Sequence, residues 1–281
     1  MKFLSFMSDN RPSYGYLTQD GIVDLGRRLA GRADDLRALL AQPDPVAVAL
    51  EAGGAPDYRL EDVALLPVIP NPEQIFCVGL NYADHVAETN RESTAQPMIF
   101  LRVPASQVGH GEPLLRPRES DRFDYEGEIA VIIGKPGRRI SEEDSWDHIA
   151  GYSCYNDGSV RDWQLHTPQW GPGKNFYRTG GFGPWMVTSD EIGPDEEMTL
   201  VTRVNGVELQ RASTRQLIHS IPKLIAYLST ITPLVPGDVI VTGTPGGIGL
   251  KRTPPLFLKP GDTVEIEVDR IGTLVNGVAN D

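Results

Sequence analysis

The sequence predicts an α+β protein that is mostly β: a small N-terminal α+β domain (residues 1–68) followed by a larger, strand-rich domain (69–281). Short apolar runs bounded by turn residues recur along the chain, and they do not alternate regularly with helical patterns. Glycine (29) and proline (23) are abundant without a repeat period, which is typical of many turns between short strands. Pro67, Pro70 and Pro72 predict an extended linker between the two parts.

In the first part, three short apolar runs predict strands and one leucine-rich segment predicts helix. The predicted strands are 3–6, 14–17 and 22–25. Residues 29–50 have helical spacing, with Leu36 and Leu39 on one face and an interruption at Pro43 and Pro45.

The second part contains most of the predicted strands, which are 74–78, 98–101, 128–133, 239–242 and 263–268. Asn205-Gly206 predicts a type I′ hairpin between strands 198–204 and 207–210. Helices are expected over 81–90, after a cap at Ser141, and over 220–229 with a proline in the first turn.

Composition excludes several classes of protein. Lys and Arg total 26 against 38 Asp and Glu, a net charge of −12, so nucleic acid and anionic membrane surfaces are excluded as partners. An anionic substrate would need a local cation. Cys77 and Cys154 lie in apolar runs and do not form a disulfide framework, and no apolar stretch is long enough to span a membrane. These features predict a cytoplasmic protein.

Three acidic residues form the first candidate site. Glu126 and Glu128 are two positions apart and point to the same face of an extended chain, and Asp157 follows in a turn after an aromatic-rich strand. Three oxygen ligands suit a hard divalent ion such as Mg²⁺, Mn²⁺ or Ca²⁺. Glu-x-Glu is a weak pattern, and the spacing alone favours two solvated strand carboxylates and a turn aspartate over a metal site.

His85 and Glu88 form the second candidate, because residues at i and i+3 share one face of a helix. They could be a general base with its orienting partner, or an ordinary charge pair on a helix surface. Arg161 and Lys174 lie near glycine and proline and could approach a ligand, although surface solubility explains each equally well.

The glycine-rich segment 241–249 is neither a P-loop nor a dinucleotide fingerprint, because no Gly-Lys-Ser/Thr follows and Pro254 and Pro255 preclude a regular helix soon after. Its backbone N–H groups and the Thr244 hydroxyl could bind an anion, and a plain turn is the alternative.

Taken together, seven segments in order resemble the fumarylacetoacetate hydrolase family over roughly residues 70–275. They are Val78-Gly79-Leu80-Asn81-Tyr82-x-x-His85-x-x-Glu88, Asp124-Tyr125-Glu126-Gly127-Glu128, Gly151-Tyr152-x-x-x-Asn156-Asp157, Arg161-Asp162-x-Gln164, Gly173-Lys174-Asn175, Pro236-Gly237-Asp238 and Thr242-Gly243-Thr244-Pro245-Gly246-Gly247-Ile248-Gly249. Arg102 departs from the pattern, since many members of the family have a lysine there.

The resemblance implies a mixed β-sandwich roll, usually a homodimer, with roles for nine residues. It implies Glu126, Glu128 and Asp157 as ligands of Mg²⁺ or Mn²⁺, with Ca²⁺ possible in vitro. It implies His85 and Glu88 as a water-activating pair on a lid segment, and Lys174, Arg161, Gln164 and Thr244 as groups that face the substrate.

The function that the resemblance implies is hydrolysis of a carbon–carbon bond in a small anionic 1,3-diketo acid of the acylpyruvate type, from aromatic or sugar-acid catabolism. Two alternatives use the same metal site: decarboxylation of a β-keto acid such as oxaloacetate, and isomerisation of a hydroxymuconate-type dienoate. A non-catalytic metal- or ligand-binding protein is a further alternative. A lysine ammonium lying between the three carboxylates in place of an ion would argue against the metal site.

Overall fold

A computed structural model describes residues 1–89, 94–194 and 196–281 of the chain. Its strands are β1 (Lys2–Ser8), β2 (Arg11–Leu17), β3 (Ile22–Asp24), β4 (Ala64–Leu65), β5 (Ile75–Gly79), β6 (Met98–Arg102), β7 (Gln107–Val108), β8 (Leu114–Arg116), β9 (Phe123–Asp124), β10 (Gly127–Ile133), β11 (Ile149–Asn156), β12 (Ser159–Val160), β13 (Gly180–Thr188), β14 (Thr199–Val204), β15 (Val207–Ser213), β16 (Val239–Val241), β17 (Thr263–Val268) and β18 (Gly272–Asn280). Its helices are α1 (Leu25–Arg28), α2 (Leu36–Leu40), α3 (Pro45–Glu51), α4 (Ala83–Thr89), α5 (Arg161–Gln164), α6 (Gly171–Lys174) and α7 (Ile221–Ile231).

The largest sheet runs through the centre of the described residues in the order β3-β2-β1-β13-β11-β10-β16-β5-β6, with β4 added beside β1 and β7 beside β13. Strand β1 is antiparallel to β13, with Lys2 opposite Val187. The N-terminal residues therefore continue the main sheet. The division into two domains at residue 68 stays a prediction.

A second sheet, β15-β14-β17-β18-β8, packs on one face of the first. Ile129 and Val131 of β10 and Ile266 of β17 belong to one buried apolar cluster, which α7 joins through Leu224 and Leu228. On the opposite face, the leucines of α2 pack with residues of β10 and β16 in a second cluster. This arrangement of two packed sheets confirms the predicted mostly-β class. Each sheet turns alternate residues of its strands towards the apolar layer between them.

Most of the predicted elements are present. At the hairpin, Asn205 and Gly206 have φ values of 53° and 78°, as a type I′ turn requires. Ser220 caps α7, and the 29–50 pattern contains α2 and α3. The predicted 81–90 helix is α4, although Asn90 lies outside the described residues.

The predicted helix after Ser141 is wrong. The Ser141 hydroxyl donates to Asp144 Oδ2 and accepts from the Asp144 N–H, so it closes a local turn. A single 3₁₀ turn follows at Ser145–His148, and Ile149 enters β11 opposite Ile133. Strand pairing in the interior of the main sheet thus outweighs the local helical signal. In the described part of the chain, no helix has the length and apolar character needed to cross a membrane.

Candidate metal centre and active site

The three predicted acidic residues converge at one end of the β10–β11 pair. Gly127 of β10 lies opposite Asn156 of β11, so Glu126, Glu128 and Asp157 flank the same point of the ladder. One carboxylate oxygen from each lies within 4.8 Å of the other two, and all three residues are buried. Backbone bonds fix the spacing, since the Asp157 N–H donates to the Glu126 carbonyl at 2.8 Å.

Lys174 lies among these carboxylates. Its Nζ, carried by α6, is 2.7 Å from Glu126 Oε2 and 2.6 Å from Asp157 Oδ2, and it stacks 5.0 Å from the centre of the Phe100 ring. Burial would lower the pKa of Lys174, but Asp157 and Glu126 outweigh burial and raise it, so the ammonium stays charged. Lys174 is therefore a structural counter-ion of the cluster as well as a group facing the cavity.

Two arginines complete the charge arrangement, and one of them, Arg102, was not predicted as a site residue. Arg102 of β6 is fully buried, pairs with Asp157 Oδ1 through Nη1, and donates from Nη2 to Thr179 Oγ1 at 3.0 Å. Arg161 donates from Nε to Asp124 Oδ2 at 2.7 Å and from Nη1 to Glu126 Oε1 at 2.5 Å. Asp124 belongs to a predicted motif but had no predicted role, and it is a buried partner of Arg161.

With all four carboxylates ionised, the negative charges of the cluster would exceed its described positive charges by one. Four buried carboxylates (Asp124, Glu126, Glu128 and Asp157) face three buried cations (Arg102, Arg161 and Lys174). Burial, reinforced by Asp157 and Glu126, raises the pKa of Glu128 well above its usual range. Burial would also raise the pKa of Glu126, but Lys174 and Arg161 outweigh burial and lower it.

This balance fits a divalent cation. Both oxygens of Glu126 and of Asp157 already accept from buried cations, and Lys174 lies between these two carboxylates. A carboxylate offers about four lone-pair positions, so each oxygen keeps one for a metal ion. The described hydrogen bonds place Lys174 against two of the three carboxylates and not against Glu128, so the expected sign against a metal site, an ammonium between all three, is met only in part. Among the described contacts, the one hydrogen bond to the Glu128 carboxylate is the Gly243 N–H, at 2.6 Å. An oxygen-only donor set of this kind suits Mg²⁺ or Mn²⁺.

His85 and Glu88 lie on α4 as predicted, and they contact each other. His85 Nδ1 is 2.7 Å from Glu88 Oε1, and His85 is 6% exposed. Glu88 Oε2 accepts the Gly247 N–H at 2.9 Å. Because both oxygens of Glu88 are occupied, the carboxylate fixes the ring orientation, and His85 Nε2 has no hydrogen-bond partner among the described residues.

The glycine-rich segment binds carboxylates of this same chain. Three of its backbone N–H groups, and that of Leu250 directly after it, donate to acidic side chains that lie on other elements. The pairs are Gly243 with Glu128 Oε2, Gly247 with Glu88 Oε2, Gly249 with Asp124 Oδ1 and Leu250 with Asp124 Oδ2. The Thr244 hydroxyl donates to the Gly127 carbonyl and accepts from Gln210 Nε2. The segment is therefore a scaffold that organises the acidic groups.

Seven of the nine predicted site residues line one cavity of about 140 Å³, and Glu88 and Asp157 lie behind them, in contact with His85 and Lys174. Its polar lining includes His85, Glu126, Glu128, Arg161, Gln164 and Lys174. Arg161 is 2% exposed, and its Nη2 has no hydrogen-bond partner in the part of the chain that the structure describes. Phe100 and Trp170 form an apolar wall, and Lys251 lines the cavity as well. A cavity of ~150 Å³ accommodates benzene, so this one suits a small acid.

Comparison with known sequences gives consistent matches. The family model described as "Fumarylacetoacetate (FAA) hydrolase C-terminal" matches residues 74–279. Oxaloacetate tautomerase fahd2, mitochondrial, from Xenopus laevis is 38% identical over 287 residues, covering 99% of this chain and 90% of its own. Oxaloacetate tautomerase YisK from Bacillus subtilis is 43% identical over 225 residues, covering 79% and 75%.

Solved structures agree over the whole chain. Fumarylacetoacetate hydrolase from Exiguobacterium antarcticum has a TM-score of 0.87 and 32% identity, with 100% of both chains covered. Maleylpyruvate hydrolase from Sphingobium sp. SYK-6, in complex with manganese(II) and pyruvate, has a TM-score of 0.81 and 27% identity, with 100% and 99% covered.

Proposed function

The chain belongs to the fumarylacetoacetate hydrolase family, and from that premise we propose that it is a divalent-metal-dependent tautomerase of small 2-oxo dicarboxylic acids of the oxaloacetate type. The observation that carries this proposal is that Glu126 and Glu128 of the buried carboxylate cluster line one small cavity together with His85, which Glu88 orients. The similarity to two oxaloacetate tautomerases supports it further.

His85 is the proposed base. With its Nδ1–H donating to Glu88, its Nε2 can take a proton from carbon 3 of the substrate. The electrons of that C–H bond form the C2=C3 double bond, and those of the carbonyl π bond move to the oxygen. His85 then returns the proton to that oxygen, which gives the enol, and the reverse sequence restores the ketone.

Glu126, Glu128 and Asp157 are the proposed ligands of Mg²⁺ or Mn²⁺. When bound, the cation would polarise the 2-oxo group and stabilise negative charge on its oxygen. Lys174 keeps its charge beside the cluster. Arg161 Nη2, which has no partner in the described part of the chain, is available to donate to a substrate carboxylate. These cations explain how a chain of net charge −12 accepts an anion.

Hydrolysis of a carbon–carbon bond in an acylpyruvate is the second candidate. An oriented histidine can equally take a proton from water, and the similarity to maleylpyruvate hydrolase favours this chemistry. Decarboxylation of oxaloacetate and binding without turnover are the remaining outcomes of the test. A homodimer, a cytoplasmic location and use of Ca²⁺ in vitro stay predictions.

The test is to mix the protein with enol-enriched oxaloacetate and follow the ultraviolet absorbance of the enol, with Mg²⁺, with Mn²⁺ and with EDTA. We expect metal-dependent acceleration of ketone formation without release of pyruvate. Pyruvate with CO₂ would indicate a decarboxylase, and cleavage of acylpyruvates but not oxaloacetate tautomerisation would indicate the hydrolase. Tautomerisation unaffected by EDTA would contradict the metal requirement.

A further inference from the structure

The His85–Glu88 pair is connected to residues outside the cavity through Gly247. Among the described residues, the bond from the Gly247 N–H to Glu88 Oε2 is the hydrogen bond that joins α4 to the glycine-rich segment. The orientation of Glu88, and hence of the His85 ring, therefore depends on where the backbone of Gly247 is held.

Two side chains hold that backbone by its carbonyl. The Tyr125 hydroxyl donates to the Gly247 carbonyl at 2.9 Å, and Arg252 Nε donates to the same oxygen at 3.3 Å and to the Tyr125 hydroxyl at 3.1 Å. Arg252 Nη2 also donates to the Leu209 carbonyl at 2.6 Å, which ties the group to β15. The Gly247 carbonyl thus has two donors converging on it.

Gly247 itself needs this support. Its φ is +101°, a conformation that glycine reaches easily but that a single backbone hydrogen bond holds weakly. A Cβ at this position would lie 2.3 Å from the Leu209 carbonyl oxygen, so the segment packs directly on β15.

We propose that Arg252 and Tyr125 are positioning residues for the His85–Glu88 pair, acting through the backbone of Gly247. The proposal rests on the proposed function for the role of His85 as a base. In this arrangement Arg252 and Tyr125 fix the Gly247 N–H, the N–H fixes Glu88, and Glu88 fixes the ring that faces the cavity.

The test compares Arg252→Met and Tyr125→Phe with the wild type and with Arg203→Met. Arg203 is a suitable control because it pairs with Glu267 on β17, away from the cavity. We expect kcat for oxaloacetate tautomerisation to fall roughly 10- to 100-fold in Arg252→Met, because small displacements of a base cost that much. KM and Mn²⁺ affinity should stay within about twofold, since the groups that bind metal and substrate are unchanged.

A second measurement does not depend on turnover. Nitrogen-15 spectra of the imidazoles, assigned with His85→Asn, should give one Nδ1-protonated tautomer of His85 in the wild type and a mixture in Arg252→Met. If the wild type does not tautomerise oxaloacetate, the proposed function fails while the spectra still decide the positioning role. Unchanged His85 signals in both variants would overturn the proposal. If Arg252→Met does not fold, Tyr125→Phe, which removes one hydroxyl, provides the same test.

Discussion

Glu128→Gln is the change that most directly tests the charge balance of the cluster. At an effective dielectric constant of about 20, two like charges 4.8 Å apart repel by about 3.5 kcal/mol. The substitution removes the repulsion of Glu128 by Glu126 and Asp157, and it also removes the attraction of Glu128 to Lys174. Because the pKa of Glu128 is raised, protonation of the wild type already relieves part of the repulsion. We expect the metal-free variant to be more stable than the wild type by about 1–3 kcal/mol.

The assay is thermal unfolding of the wild type, Glu128→Gln and Glu265→Gln, with EDTA and with Mn²⁺. For a chain of this size the metal-free gain corresponds to roughly 2–10 °C. Mn²⁺ at about 100 times its Kd should stabilise the wild type by about 2.7 kcal/mol and the variant by much less. Glu265 is a strand residue outside the cavity, so its variant should behave like the wild type. A metal-free Glu128→Gln protein less stable than the wild type, with an undiminished response to Mn²⁺, would refute the reasoning.

His85→Asn should lower kcat for tautomerisation by about 10²–10⁴-fold without changing Mn²⁺ affinity by calorimetry, and equal loss of both would contradict its role as a base. Lys251→Met should raise KM for oxaloacetate about fivefold but not for 2-oxobutanoate, which lacks the second carboxylate. The effect is small because an exposed cation contributes at most about 1 kcal/mol to binding a carboxylate. Equal KM changes for the two acids would exclude this contact. Burial raises the pKa of Asp238 from 3.8 to about 6, so the folded state retains the proton and wild-type stability falls as pH rises through about 6. Glu128, whose pKa is also raised, contributes a fall of the same sign. Urea unfolding of Asp238→Asn between pH 4 and 8 should therefore show a smaller fall than the wild type, and parallel curves would show that Asp238 does not contribute to it.

The sequence predicted the elements whose signals are local. Asn205-Gly206 is sufficient for its turn, and Ser220 with Pro222 is sufficient to begin α7, because the chemistry of both lies within a few residues. The convergence of Glu126, Glu128 and Asp157 was one of two open interpretations from the residues alone, and the family resemblance supplied the assignment. Their proximity depends on the register of β10 against β11, which spacing along the chain does not specify.

The sequence could not predict contacts between residues that lie far apart in the chain. Arg102 looked like a departure from a family pattern. Its partner Asp157 follows β11, which β10, β16 and β5 separate from β6 in the main sheet, so no local signal pairs the two residues. The available signal was the cation itself, since lysine in many family members and arginine here both place a positive charge at this position, and a buried cation needs an acidic partner. The helix after Ser141 failed because a serine followed by an acid three residues later also closes a turn, and pairing of Ile149 with Ile133 decided between them.

In the glycine-rich scaffold, the groups that hold the acidic residues belong to the main chain, and the groups that line the cavity are side chains, which substitution can change. Main-chain amides hold the acids, and an amide is present whatever side chain a position carries. Ile248, Leu250 and Lys251 project from the same stretch and line the cavity, so they can be exchanged while the bonds to Asp124 and Glu88 persist. A lineage could thus alter which acid it accepts by substitutions at these positions and keep its ionic centre intact, a route to related enzymes with different substrates on one fold.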